Sequence, residues 1–287
     1  MTLNAIRTVA VLGAGTMGNG IAHVFARYGY NVILRDVETR FLDRAMETIS
    51  KNLDREVKKG NVSEGDKPGI LGRIHATTEM SEIAGADFAV EAVPERLDLK
   101  LSVLREADTL LRPEVILASN TSSISVTTLA AATRRPDRFV GMHFMNPVPV
   151  MVLIEVIRAL QTSDETLQTT MALCERLEKK PVAVNDAPGF VSNRVLLPMI
   201  NEAAFAVMEG VATAEAVDSV MKLGMNHPMG PLELADFIGL DVCVNILDVL
   251  YTGFGDSKYR ACPLLRKMVA AGWLGRKSGR GFYSYPG

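Results

Sequence analysis

Short apolar runs alternate with amphipathic stretches over the first half of the chain. Val9 to Leu12 reads as a buried strand. Met17, Ile21, Val24 and Phe25 then recur at helical spacing, and Gly29 follows as a C-terminal cap. Asn31 to Leu34 predicts a second strand, and Phe41 to Lys59 a longer, charged helix. Phe88 to Val93, Val115 to Ala118 and Phe139 to Phe144 are further short apolar runs, with helical stretches between them. This alternation predicts a parallel sheet covered by helices on both faces.

The texture changes after Asp186-Ala187-Pro188-Gly189. Phe190 to Met208 is apolar nearly all round, which predicts a helix buried on every side, with Pro198 kinking it. Thr213 to Leu223, Pro231 to Tyr251 and Pro263 to Ala271 predict three more helices, and no comparable strand signal appears before the last few residues. The expected organisation is an α/β domain over residues 1–186 and an all-α domain over residues 187–287. No repeat or low-complexity segment interrupts it.

Composition narrows the function classes. The chain has 287 residues, 48% hydrophobic and 22% charged, ordinary for globular domains. A net charge of −2 supplies no global field for nucleic acid or anionic lipid, so any anionic ligand must be held locally. No stretch approaches the roughly 18 apolar residues of a membrane helix. The run after Arg7 is too short for a secretion signal. Cys174, Cys243 and Cys262 are far apart, which argues against a disulfide framework or zinc site and suits a reducing cytoplasm.

Two constellations carry candidate chemistry. Gly13-Ala14-Gly15-Thr16-Met17-Gly18 fits G-x-G-x-x-G between a predicted strand and helix. Gly13 would make the tight turn, Gly15 would admit a pyrophosphate, and Gly18 would let helix and strand pack closely. The pyrophosphate would lie at the helix N-terminus, against unpaired amides and the positive dipole end. Asp36, ending the second strand, can accept from the ribose hydroxyls and repel a 2′-phosphate, which favours NAD over NADP. Arg35 and Arg40 stand close enough to soften that preference.

His143 ends the Phe139 to Phe144 run, where ligands bind in parallel sheets, and an imidazole with its ordinary pKa of about 6.5 can serve as a general base. Glu155 sits within Val152-Leu153-Ile154 and Val156-Ile157, where a carboxylate is costly unless paired. A histidine is its obvious partner, although a satisfied core histidine is an equal reading of His143. Taken alone, Ser119-Asn120-Thr121-Ser122-Ser123 reads as a helix cap, and Asn193 as an internal hydrogen bond.

At these residues the chain resembles the 3-hydroxyacyl-CoA dehydrogenases, in particular the bacterial 3-hydroxybutyryl-CoA dehydrogenases. The likeness runs nearly end to end: Gly13 to Ala22, Ser119 to Ser123, Gly141 to Met151, Asp186 to Arg194, His227 to Asp241 and Gly275 to Tyr283. The resemblance implies a Rossmann dinucleotide-binding domain followed by an all-α C-terminal dimerisation domain, and a homodimer. It implies His143 as catalytic base, Glu155 as its paired carboxylate, and Ser122 and Asn193 as holders of the substrate's reacting oxygen. Cofactor contacts are expected at Gly13, Gly15, Met17, Gly18, Asp36, Glu95, Lys100 and Asn120, with Glu95 and Lys100 toward the nicotinamide half. Lys59 is expected to meet the phosphates of the acyl-CoA, while Asn52 departs from the serine of some relatives. Two rivals stay open at this point: a dehydrogenase of 3-hydroxy acids that needs no CoA, and a non-catalytic NAD-binding protein on the same fold.

Overall fold

The computed structural model describes residues 3–285. The chain divides into two units, Met1–Asp186 and Ala187–Gly287. In the first, β1 (Thr8–Leu12), α1 (Thr16–Arg27), β2 (Asn31–Arg35), α2 (Thr39–Lys58), α3 (Lys67–Gly72), β3 (Ile74–Thr77), β4 (Phe88–Glu91) and α4 (Leu97–Leu110) come first. Then follow β5 (Ile116–Ser119), α5 (Val126–Ala131), β6 (Phe139–Phe144), β7 (Leu153–Arg158), α6 (Asp164–Arg176) and β8 (Lys180–Asn185).

The strands form one sheet in the order β3-β2-β1-β4-β5-β6-β7-β8. Alternate residues face opposite sides, and both sides are dry. Val9, Val11, Val32, Leu34, Phe88 and Val90 pack with α1, α2 and α6, while Ala10, Leu12, Ala89 and Leu117 on the other side are equally buried. Strand order reverses between β1 and β4, so a crevice opens at their carboxyl ends.

The sheet is mixed rather than purely parallel, because β7 runs antiparallel to β6. Only residues 145–152 join the two strands, and a parallel crossover needs a dozen or more. Of the two terminal strands, β3 lacks an apolar run, whereas β8 carries Val182-Ala183-Val184 behind Pro181. β3 has four residues and β8 six, and both are partly exposed, as edge strands generally are.

The second unit contains α7 (Ser192–Met208), α8 (Ala214–Gly224), α9 (Pro231–Ile238), α10 (Leu240–Phe254) and α11 (Pro263–Ala270). Leu197, Ile200, Leu232, Leu240, Leu247 and Leu265 lie at its centre. The expected single helix from Pro231 to Tyr251 is broken at Gly239, whose φ of 106° other residues rarely adopt. The helix through Pro198 is not buried on every side, since Val195 is 66% exposed. The tail adds isolated bridges, Gly275 to Arg280 and Arg280 to Ser284, so the unit is helical with a short bridged end. Two buried aspartates tie that end down. Asp236 accepts from the Phe282 and Tyr283 amides, and Asp218 from the Tyr283 hydroxyl.

Candidate functional site

The carboxyl edge of the sheet holds nearly every expected site residue of the first unit. Gly13 follows β1 with φ 106°, and a Cβ there would meet the Ala92 carbonyl oxygen at 2.7 Å. A Cβ on Gly18 would lie 1.7 Å from the Gly13 oxygen, so α1 can start this close to β1 only with glycine. Gly15 differs: it is exposed, and a Cβ would meet nothing within 4 Å. The open space above it leaves room for a ligand to approach the backbone at the N-terminus of α1.

Asp36 follows β2. One of its oxygens accepts from the Ala14 amide at 2.6 Å and the other from the Val37 amide at 2.7 Å. The carboxylate is thereby fixed beside the glycine turn while staying partly open to solvent. Arg40 is committed to Glu38 at 2.8 Å, whereas Arg35 lines the same cavity as Asp36.

At the end of β4, Glu91 is buried and accepts four hydrogen bonds from three groups. Its Oε1 takes the Val93 amide at 2.7 Å and the Lys100 ammonium at 2.8 Å. Its Oε2 takes Lys100 at 3.0 Å and the Ser119 hydroxyl at 2.6 Å. Lys100 also donates to the Val93 carbonyl at 3.1 Å and lies 3.2 Å from Glu95 Oε2. Oε1 of Glu95 collects the Thr121 hydroxyl at 2.6 Å, the Ser122 and Ser123 amides at 2.9 Å each, and the Ser123 hydroxyl at 2.9 Å. Burial pushes the Glu95 carboxyl upward, but the charge of Lys100 and these donors hold it below the usual range.

The Ser119 to Ser123 cluster is therefore not a helix cap. Ser125 caps α5, accepting from the Thr128 amide, while the cluster serves the two glutamates. Asn120 spends its side-chain oxygen on the Phe144 amide at 2.9 Å, which ties the end of β5 to the end of β6.

His143 and Glu155 are register partners across the antiparallel β6–β7 pair. Side chains directly opposite in such a pair have Cβ atoms about 4.5–5.5 Å apart, and here His143 Nδ1 lies 2.9 Å from Glu155 Oε2. Both side chains are nearly out of water, at 11% and 3% exposure. A carboxylate at Nδ1 requires a proton there, which leaves Nε2 as the nitrogen able to receive one. The turn of antiparallel β7 is thus what turns an apolar-strand glutamate into the partner of a strand-end histidine.

One cavity of about 650 Å³ runs along this edge and is lined by Gly15, Met17, Asp36, Glu95, Lys100, Asn120, Ser122 and His143, among others. From β2 to β6 are four strand steps, about 19 Å at 4.8 Å each. A dinucleotide with its adenosine ribose at Asp36 and its pyrophosphate at α1 would bring its nicotinamide to the β4–β6 end. The residues present fit it: an open approach above Gly15, a fixed acceptor at Asp36 and the His143–Glu155 pair at the far end. Such a ligand would supply a hydride acceptor beside His143.

A second groove of about 470 Å³ lies between α1, α2 and the turn after β6, lined by Asn19, Thr48, Asn52, Asn146 and Val148 among others. Lys59 is not among its lining residues; it is exposed and caps α2 two turns beyond Asn52. Asn193 belongs to the second unit, in the first turn of α7, where it is partly buried. Two residues of the edge, Glu91 and Asn146, were given no role from sequence, and Ser119 only a share in a helix cap; Asn146 also lines the first cavity. For Glu91 the signal exists, because it is a lone carboxylate in an apolar strand, the very feature that marks Glu155. Among the described residues no cluster could hold a metal ion.

Comparison with known proteins gives a consistent result. Residues 8–187 match the family model for the NAD binding domain of 3-hydroxyacyl-CoA dehydrogenase, and residues 189–285 match that for its C-terminal domain. A probable 3-hydroxybutyryl-CoA dehydrogenase of Deinococcus radiodurans is 56% identical over 275 residues, 96% of this chain and 99% of that one. The 3-hydroxybutyryl-CoA dehydrogenase of Bradyrhizobium diazoefficiens is 52% identical over 282 residues, covering 98% and 96%. The crystal structure of (S)-3-hydroxybutyryl-CoA dehydrogenase from Ralstonia eutropha is similar with a TM-score of 0.96 at 52% identity, covering 99% of this chain and 100% of that one.

Proposed function

The chain belongs to the 3-hydroxyacyl-CoA dehydrogenase family, and we propose that it interconverts (3S)-3-hydroxyacyl-CoA plus NAD with 3-oxoacyl-CoA, NADH and a proton. Short chains are the proposed substrates, 3-hydroxybutanoyl-CoA first. The observation that carries this reading is the His143–Glu155 pair, joined at 2.9 Å at the end of a dinucleotide-sized cavity. A non-catalytic protein on this fold has no use for such a pair.

His143 Nε2 takes the hydroxyl proton as C3 becomes a carbonyl carbon. Glu155 holds the Nδ1 proton and stabilises the imidazolium that forms. Bound NAD supplies the hydride acceptor. Ser122 and Asn193 orient the substrate's oxygen, and Lys59 grips the acyl-CoA phosphates. Gly13, Gly15, Met17, Gly18, Asp36, Glu95, Lys100 and Asn120 form or support the cofactor cradle. A homodimer through the second unit is also proposed, supported by the exposed apolar side chains Val191, Val195 and Val211. Three buried free cysteines suit a reducing cytoplasm, and no helix among the described residues is long and apolar enough to cross a membrane.

The test is steady-state reduction of acetoacetyl-CoA, longer 3-oxoacyl-CoA esters and free acetoacetate, each with NADH and NADPH. The expected result is turnover of acetoacetyl-CoA with NADH and none of free acetoacetate. No turnover of any CoA ester, or equal turnover of acetoacetate, overturns the proposal.

A further inference from the structure

Lys100 lines the cavity, but its ammonium has nothing to offer a ligand. The side chain is 1% exposed, and its three protons are met by Glu91, the Val93 carbonyl and Glu95. Glu91 is as deeply buried and does not line the cavity. A buried lysine–glutamate pair is a poor device for stability, because desolvation offsets most of the attraction. Its value must lie in what it holds in place.

What it holds is the stretch Thr121–Ser123 of the loop after β5, and it does so by two routes. Glu91 and Ser119 are neighbours in register across β4 and β5. Ser119 donates its hydroxyl proton to Glu91 at 2.6 Å, so its oxygen is turned to accept the Thr121 amide at 3.2 Å. The other route passes through Lys100 to Glu95, whose second oxygen gathers the amides of Ser122 and Ser123 and the hydroxyls of Thr121 and Ser123. Glu95 keeps a third of its side chain exposed, so on its own it would have other places to go. Lys100 supplies the counter-charge that keeps it over the loop, and Glu91 shares that ammonium so that it does not draw Glu95 inward.

We infer that Glu91 is a positioning residue for the reaction: acting through Lys100 and Glu95, and through Ser119, it fixes the Thr121–Ser123 loop and with it the Ser122 hydroxyl. The inference rests on the proposed role of Ser122 in holding the substrate's oxygen. Glu91→Gln keeps the size, but it carries no charge and keeps only one accepting oxygen, so it cannot hold Lys100, Val93 and Ser119 together. Both routes are weakened together, and the Ser122 hydroxyl is left free to stray from the reacting oxygen.

Three measurements test this. Glu91→Gln should lower kcat for acetoacetyl-CoA reduction about 10- to 100-fold, the scale of a displacement near 1 Å, while ADP-ribose, which lacks nicotinamide, binds within about twofold of the parent affinity. In a Ser122→Ala background the same substitution should cost less than about threefold, because groups acting as one unit are not additive. A kcat within twofold of the parent, or the same loss in both backgrounds, overturns the inference. Should Glu91→Gln not fold, Ser119→Ala cuts one route only and must show a smaller loss with the same dependence on Ser122; an equal loss in both backgrounds overturns it. Hydrogen exchange over residues 119–125 reads the clamp without catalysis, and exchange no faster in the variant also overturns it. A parent protein without turnover would instead refute the proposed function, with the exchange data still deciding the clamp.

Discussion

The two ends of the long cavity are built on opposite principles. At the β2 end a single carboxylate, Asp36, is steadied by two backbone amides and stays partly open to water. At the β4–β6 end Glu91, Lys100, His143 and Glu155 are nearly dry, and each is tied to a partner of opposite or complementary character. Recognition of a ribose hydroxyl needs one acceptor in the right place, and competing water weakens it without abolishing it. Proton transfer and orientation of a reacting oxygen need groups fixed before the substrate arrives. In a low-dielectric setting every such group must be paired, since an unpaired one is costly. Substitution at the first end should therefore change choice of ligand, and substitution at the second should change rate.

The largest effect is expected at the paired end. His143→Ala should lower kcat by about 10²–10⁴-fold, the usual contribution of a positioned general base, while NADH still binds. Glu155→Gln keeps the size but neither stabilises an imidazolium nor enforces the Nδ1 proton, so it should also lower kcat heavily. Because the two residues face each other at 2.9 Å, the double variant should be little slower than His143→Ala alone. Losses that multiply would separate the two residues and remove Glu155 from the chemistry.

The contrast between the two ends also explains what the sequence could reveal. The glycine turn, Asp36 and the strand–helix alternation are local, and each is written in adjacent residues. Glu155 betrays itself because a carboxylate inside an apolar run demands a partner. Its pairing with His143 depends on β7 turning back antiparallel, which no periodicity states, although the short link of residues 145–152 requires it. Glu91 carries the same local mark, but its partners Lys100 and Ser119 are nine and 28 positions away, brought together only by the sheet. The break at Gly239 was visible as a glycine inside a helical pattern; only its φ shows that the chain turns there. β8 escapes because its apolar run, Val182-Ala183-Val184, is short and follows Pro181, which weakens a strand reading.

A middle-sized effect is expected at the open end. The parent protein should prefer NADH to NADPH in kcat/KM. Asp36→Ala removes the acceptor for the ribose hydroxyls and the repulsion of a 2′-phosphate, while Arg35 remains in the cavity lining. The NADH-to-NADPH ratio should narrow by about tenfold, equivalent to roughly 1.4 kcal/mol, with kcat for NADH changing far less. A collapse of kcat with no change in the ratio would erase the distinction between the two ends, because Asp36 would then be holding the glycine turn rather than reading the cofactor.

The smallest effect is expected outside both ends, at Lys59. This lysine stands exposed at the end of α2 and not in the lining of the groove beside Asn52. A cation there can meet the phosphates of an acyl-CoA only at the groove's far margin, in water. Charge pairs in such a setting contribute about 0–1 kcal/mol, which limits Lys59→Ala to a rise of roughly threefold to fivefold in KM for the acyl-CoA. KM for NADH and kcat should stay nearly unchanged, since neither end of the cavity is touched. The effect should also fade with added salt, because the screening length falls from about 10 Å at 0.1 M to about 3 Å at 1 M. A salt-insensitive rise would point to a packing role for the side chain's stem. An unchanged KM at low salt would strip Lys59 of its role and pass the phosphates to other cations of the same helix, Lys51, Arg55 or Lys58.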